Sequence, residues 1–212
     1  MHGKVINMTE RTSDVTTNNT LIRTTSSLNQ RNIQTSIADN AVEAKQLLID
    51  LIPRNSEVYV STSETLDSIG YTEYISQSNS YKNLNELVSA EIDLDAQKDV
   101  RRRVTTIADY FVGSVQAICE SGEVIIASGS GSQIAAYVYG AKKVLWVAGT
   151  QKICRDLASA IERVRGYTLE MHDQWLQGFG RSAAPVGKLL IFEHEQVKER
   201  VHMILVKEAL GW

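Results

Sequence analysis

Cysteine is scarce in this chain: 212 residues carry only Cys119 and Cys154. Two thiols cannot build a disulfide framework, nor fill a four-thiolate metal or cluster site within one chain. A reducing compartment is therefore expected, and no cofactor or metal is expected to be held by this chain. An excess of basic charge is missing as well. Lys and Arg number 22 against 25 Asp and Glu, a formal net charge of −3. No basic field exists for phosphate backbones, which excludes nucleic acid as an expected partner. No stretch approaches the ~18 consecutive apolar residues of a membrane helix. The first residues lack the apolar run of a secretory signal, and Glu10 and Asp14 do not suit an organelle transit peptide. The expectation is a cytoplasmic protein without a membrane partner. Apolar residues make up 43% and charged residues 22%, ordinary for a globular chain long enough to bury its own core.

Polarity is uneven along the chain. Residues 7–36 include 19 Ser, Thr, Asn or Gln, and residues 1–17 read as a flexible N-terminal tail that cannot repay its ordering entropy. A single domain is expected over residues 18–212. Leu21, Ile22, Thr25 and Leu28 have helical spacing, and Ile33, Thr35 and Ile37 alternate as in a strand. Asn40 and Glu43 have capping-box spacing ahead of an apolar stripe through Ala44, Leu48 and Leu51, which Pro53 closes. Val58 and Val60 predict a strand, Ser63 caps a short helix ending at Gly70, and residues 76–85 read as a surface loop. Val100, Val104, Ile107, Ala108 and Phe111 share a helical face, with Arg101, Arg102 and Arg103 on its solvated side.

The clearest patterning runs from Phe111 to Met171. Val124–Ala127 and Val144–Ala148 are short apolar runs of the kind buried on both faces of a parallel sheet. A Gly/Ser turn and a short helix, Gln133–Tyr139, lie between them. A long helix is predicted next, its stripe marked by Ile153, Leu157, Ile161, Val164, Thr168 and Met171. Leu189–Phe192 and Met203–Val206 predict further strands. Strand, helix, strand and helix at this pace predict an α/β fold: an open, mostly parallel sheet with helices on both faces.

In such sheets ligands sit beyond the carboxyl ends of the strands, so the residues there are the candidates. Gly129, Ser130, Gly131 and Ser132 join a strand to a helix and offer backbone N–H groups to a small anion. The segment is neither a dinucleotide fingerprint, since Ile134 stands where the third glycine belongs, nor a P-loop. The alternative is a tight turn in which the glycines serve the backbone. Thr62, Ser63 and Glu64 follow another strand and are candidates for the same crevice, or plain helix caps. Lys152 also follows a strand and can meet an anion, or be a solvated lysine. The four histidines show no metal spacing, Glu193-His194-Glu195 reads as a solvated strand end, and Cys119 reads as a small buried residue.

Ala108-Asp109-Tyr110-Phe111, Gly113-Ser114 and the run Ala117-Ile118-Cys119-Glu120-Ser121-Gly122-Glu123-Val124 resemble the central motif of the LUD-domain lactate-utilisation family. The likeness continues through Gly140-Ala141-Lys142-Lys143-Val144, Lys152-Ile153, Ala160–Arg165 and Val201–Val206. It implies a fold like those of ribose-5-phosphate isomerases, glucosamine-phosphate deaminases and CoA transferases. It also implies a role beside iron–sulfur partner subunits in oxidising lactate to pyruvate. Two departures stand out: Gly131-Ser132-Gln133 occupies a place where the family often has Gly-Asn-Arg, and residues 175–185 lack the late cysteines of some members. Glu120-Ser121-Gly122 also resembles the Glu-containing turn of CoA transferases, whose carboxylate forms an acyl intermediate. Glu120 is thereby the candidate catalytic residue, with Ser121 and Gly122 beside the ligand. The alternative is that Glu120 bonds a neighbouring turn while Glu123 is exposed.

The leading expectation is a LUD-domain protein of lactate or organic-acid utilisation that binds a small anionic metabolite. The alternatives are a stand-alone CoA-transferase-like or sugar-phosphate-isomerase-like enzyme using Glu120, and a non-catalytic regulatory or assembly module. A homo-oligomer is compatible with each.

Overall fold

The computed structural model describes residues 18–182 and 185–212; the expected tail, residues 1–17, lies outside them. Helix α1 (Asn18–Gln30) turns Leu21, Thr24 and Leu28 inward at helical spacing. Asn32 takes a left-handed turn, φ 60°, a conformation asparagine tolerates, and β1 (Ile33–Ala38) follows. Asn40 caps α2 (Ala41–Leu51) by accepting from the Glu43 N–H. The Glu43 carboxylate reaches back to the Asp39 N–H at 2.7 Å, one residue beyond the Asn40 N–H that a capping box would engage. Strand β2 (Glu57–Val60), α3 (Glu64–Ser68) and α4 (Tyr71–Gln77) come next, then β3 (Lys82–Asn83), α5 (Leu84–Ser89), α6 (Leu94–Ile107) and β4 (Tyr110–Gly113). Residues 76–85 therefore hold more structure than a surface loop. The Asn85 side-chain amide accepts from the Val60 N–H and donates to the Val60 carbonyl, both at 2.8 Å, extending the β2 ladder beyond β3. Phe111 is not on the helical face predicted for it. The helix stops at Ile107, and Phe111 pairs with Tyr59 of β2 and Val144 of the later strand β7.

The second half supplies β5 (Ala117–Cys119), β6 (Val124–Ser128), α7 (Ser132–Ala135), β7 (Lys143–Gly149), β8 (Ile153–Cys154), α8 (Leu157–Arg163), α9 (Leu169–Gln177), β9 (Lys188–Phe192) and β10 (Val201–Val206). Six strands form one sheet in the order β1-β10-β7-β4-β2-β3, and every pairing is parallel. Strand β7 shows why its sequence is almost wholly apolar. Val144, Trp146 and Ala148 pack on one face, with Leu28 of α1 and Val104 of α6. Leu145 and Val147 pack on the other, with Leu48 of α2 and Leu66 of α3. Both faces are thus covered, as a parallel sheet requires. An edge-on aromatic series, Phe111–Tyr137–Trp146–Phe192, runs through the first face with ring centroids 5.2–5.3 Å apart.

Three sequence expectations are corrected in this half of the chain. Val124–Ala127 is not in the parallel sheet: β6 runs antiparallel to β5 and β9 in a second sheet ordered β8-β5-β6-β9. Only a tight turn separates β5 from β6, with Gly122 left-handed at φ 95°, and a parallel pair needs a crossover of a dozen residues or more. The predicted long helix forms, running unbroken over residues 157–177, but it starts later than its stripe suggests. Ile153 and Cys154 instead pair with Ile118 and Cys119, Asp156 starts α8 with a reciprocal cap to Ser159, and a widened turn over Val164–Thr168 joins α8 to α9. Nor is Glu195 solvated. It is buried and pairs with buried Arg200 at 2.7 Å, and Arg200 also donates to the carbonyls of Ala136, Tyr137 and Ala141.

Candidate functional site

The chain leaves β2 towards the β3 edge, but leaves β4 towards β7 and β10. Connections diverging at neighbouring strands open a crevice at the carboxyl ends, the usual ligand position in open α/β sheets. A cavity of about 320 Å³ lies there. Thr62 to Thr65 reach it from the end of β2, Ser114 from the end of β4, Ser128 to Ser130 from the end of β6, and Lys152 from the turn after β7. His172 and Trp175 of α9 and the terminal Trp212 form an aromatic wall, with the Trp175 ring centroid 6.0 Å from His172 and 6.3 Å from Trp212. Glu64 and Asp67 add negative charge to the lining.

Lys152 dominates the chemistry. Its side chain is buried, with the residue 2% exposed. The Nζ donates to Thr65 Oγ1 at 2.9 Å and to Ser114 Oγ at 3.1 Å. These hydroxyls are themselves held: Thr65 donates to the Leu210 carbonyl at 3.3 Å, and Ser114 donates to Thr65 at 3.2 Å. The Tyr137 hydroxyl donates to the Ser114 carbonyl at 3.2 Å. Among the described residues no carboxylate pairs with Lys152; its partners are two neutral hydroxyls. Burial, followed by the positive charge of Arg163, pulls the ammonium pKa down to about 7. Arg163 itself donates to Thr168 Oγ1 at 2.8 Å and lies 5.0 Å from the Tyr167 ring centroid, so its charge is held in place behind the crevice.

Of the residues singled out in the sequence, Thr62, Ser63, Glu64, Gly129, Ser130 and Lys152 are brought together around this cavity. Ser63 also caps α3, its hydroxyl accepting from the Leu66 N–H. Lys152 is not the solvated lysine that was the alternative for it. Gly131 and Ser132 do not line the cavity. Their N–H groups are taken by the chain's own serines, Gly131 by Ser128 Oγ at 2.9 Å and Ser132 by Ser130 Oγ at 3.3 Å. Gln133, where the family often has arginine, lines the cavity as a neutral group and accepts from Ser128 Oγ at 3.1 Å.

Glu120, Ser121 and Gly122 lie elsewhere, at the turn end of the β5–β6 hairpin, and none of them lines the cavity. Glu120 is ion-paired with Arg23 of α1 at 2.6 Å. Arg31 donates to the Ser121 carbonyl at 2.8 Å, pairs with Glu123, and pairs with Glu193 at 3.0 Å. Glu123 is therefore not simply exposed. Burial works against its ionisation, but the Ser121 hydroxyl, a backbone N–H and Arg31 outweigh it and hold its pKa below the usual carboxylate range.

The sequence offered weaker signals for the rest of the site. Gly113-Ser114 follows an apolar run, as the first residues beyond a buried strand do, so Ser114 was within reach. Trp175 and Trp212 are 37 residues apart in sequence and meet only through tertiary packing. Cys119 is buried and its thiol is pushed up to about 12, chiefly by burial and then by Glu123, which removes thiolate chemistry at neutral pH. Among the described residues no cluster of three or more His, Cys, Asp or Glu is placed to hold a metal ion. No described helix is long and apolar enough to cross a membrane.

A search of curated proteins finds no similar sequence. Among solved structures, a DUF162-family protein from Deinococcus radiodurans superposes with TM-score 0.55 at 12% identity, over 89% of this chain and 96% of the other. At that identity the likeness concerns the fold. The beta subunit of eIF2B from Chaetomium thermophilum matches with TM-score 0.35 at 13% identity, over 55% of this chain and 43% of that one. Ribose 5-phosphate isomerase from Plasmodium falciparum matches with TM-score 0.32 at 11% identity, over 61% and 66%. The model of the LUD domain matches residues 21–206, nearly the whole described chain, and the protein belongs to the LUD-domain family.

Proposed function

We propose that the crevice binds a small organic acid through its carboxylate, with Lys152 as the counter-ion. In this reading the protein serves lactate or related organic-acid utilisation beside iron–sulfur partner subunits. One observation carries the binding claim: a buried ammonium at the end of β7 has two hydroxyls as partners and no carboxylate among the described residues. A buried charge without an opposite charge costs several kcal/mol. Either the amine sheds its proton or something else supplies the anion, and a ligand carboxylate entering the crevice does the latter. Binding then takes up a proton at neutral pH, because the carboxylate favours the charged amine. Thr65 and Ser114 hold Nζ in place, and the Ser128–Ser130 segment and Gln133 offer polar groups to the remainder of the ligand. The partner claim rests on family membership. With Cys119 and Cys154 as its two thiols, the chain leaves electron transfer to other subunits.

Calorimetry with lactate tests the binding claim. Affinity should fall about tenfold per pH unit above pH ~7, as Lys152 loses its proton. A Lys152→Met variant should lose binding while remaining folded. Undiminished binding in that variant would refute the carboxylate site. For the partner claim, tagged protein from its native cells should copurify with a cysteine-rich, iron-containing subunit.

Glu120 plays no part in this reading. Its carboxylate is committed to Arg23 at the far end of the hairpin, so a CoA-transferase-like acyl intermediate would require it to leave that pair and reach another cavity.

A further inference from the structure

Lys152 has a second chemical capacity, which rests on the reading of the crevice as a carboxylate site and goes beyond it. We propose that Lys152 forms a reversible imine with the ketone carbon of a 2-oxo acid held in the crevice, so that the site distinguishes 2-oxo acids from 2-hydroxy acids.

Three features of the geometry point to this. The amine is fixed, not swinging: two hydroxyls at 2.9 and 3.1 Å hold Nζ at the base of an open cavity. Both of those hydroxyls can pass protons, since each accepts from Nζ and Ser114 donates onward to Thr65. No carboxylate among the described residues pins the amine in its charged form, and a second cation, Arg163, stands behind it. Desolvation and a neighbouring positive charge are the two devices that turn lysine into a nucleophile, and here they leave a large neutral fraction at pH 7. The other ionisable groups facing the cavity are Glu64, Asp67 and His172. None of them is hydrogen-bonded to Nζ.

The step balances without an oxidant or reductant. The neutral Nζ lone pair attacks the ketone carbon, and the carbonyl π electrons move to oxygen. That oxygen takes a proton released by nitrogen, relayed by the Ser114 and Thr65 hydroxyls. The resulting carbinolamine expels its hydroxyl as water after a second proton transfer, and the nitrogen lone pair closes the C=N bond. One amine and one ketone give one imine and one water. In the reacting pose the 2-oxo acid sets its carboxylate against the polar groups around Ser128–Ser130 instead of against Nζ, which leaves the amine neutral for attack. The acid's side chain is directed to the wall formed by His172, Trp175 and Trp212, which explains a cavity larger than a three-carbon acid fills.

The test is reductive trapping. The protein is incubated with pyruvate or phenylpyruvate and sodium borohydride, then digested and mapped by mass spectrometry. The expected result is one adduct at Lys152, with the mass of the acid less water plus two hydrogens, and none with lactate. A Lys152→Arg variant has no primary amine at this position, so it should give no adduct there with either 2-oxo acid. Adducts scattered over surface lysines, or absent with both 2-oxo acids, would overturn the imine. If lactate still binds the wild type in that case, the carboxylate reading survives alone; if lactate does not bind either, both fall.

Discussion

The two ends of the β5–β6 hairpin carry charge in opposite ways. At the turn end, Glu120, Glu123, Arg23 and Arg31 are matched, anion to cation, and the hairpin is tied to α1 and to Glu193 after β9. At the open end, Gln116 and Ser128 face a cavity whose buried lysine has two hydroxyls as its hydrogen-bond partners among the described residues. Paired charges lock a structure, whereas an unpaired buried charge is tolerated where a ligand completes it. The acidic turn that looks most like catalytic machinery in the sequence is thus structural in its contacts, and the chemical opportunity lies one strand-length away.

Lys152→Met should give the largest effect. Lactate affinity should drop by more than ~100-fold, since the charge-assisted contact is lost from a buried site. The same change should raise the melting temperature of the free protein, because a costly buried ammonium is removed. Differential scanning calorimetry beside titration calorimetry checks both, and a variant that binds normally would erase the contrast between the two ends.

The pH dependence of stability comes next. The folded-state pKa of Lys152, about 7 against an ordinary 10.5, means that the unfolded chain binds more protons between those values. Stability should therefore rise with pH there. The clean window is pH ~7 to ~8.5, below the range where Cys119 and the buried tyrosines begin to titrate in the unfolded chain. The Lys152 contribution should approach ~1.4 kcal/mol per pH unit, read from urea midpoints, and should vanish in Lys152→Met.

Arg31→Leu sharpens the comparison from the other side. It strands Glu123, whose side chain is 15% exposed, and frees the Ser121 carbonyl. A loss of ~1–3 kcal/mol is expected by chemical denaturation, with lactate binding changed by less than about twofold because the crevice lies at the other end. Glu120→Gln should be milder still. The Arg23 side chain is 59% exposed, so the cost should stay below ~1 kcal/mol, and ligand affinity should not move. Loss of binding in that variant would restore Glu120 to the site.

How much of this was legible in the sequence depends on how local the signal is. Strand β7 announced itself because both of its faces are buried, so the run has no polar interruption. Asn40, Ser63 and Gly70 marked helix ends because capping is decided within a few residues. Pairing direction was less visible: Val124–Ala127 has the composition of a parallel strand, yet the tight turn at Gly122 sends it antiparallel to β5. Ile153–Cys154 fits a helical stripe but is drawn into the second sheet by Ile118 and Cys119. The site was half visible. Residues just beyond strand ends, Thr62 to Glu64 and Lys152, could be marked by position. That Lys152 is buried without an anion could not, because it depends on Thr65, Ser114, Arg163 and Leu210 converging from four separate stretches. Glu120 was marked by its neighbours in sequence, whereas its partner Arg23 sits on α1, nearly a hundred residues away.

The most direct measurement is an NMR titration of the Lys152 side-chain amine in the free protein and with saturating lactate, using Lys152→Arg to assign the resonance. The expected result is a transition near pH 7 in the free protein that moves upward by one unit or more with lactate bound. A transition above 10 in the free protein, unmoved by lactate, would contradict it.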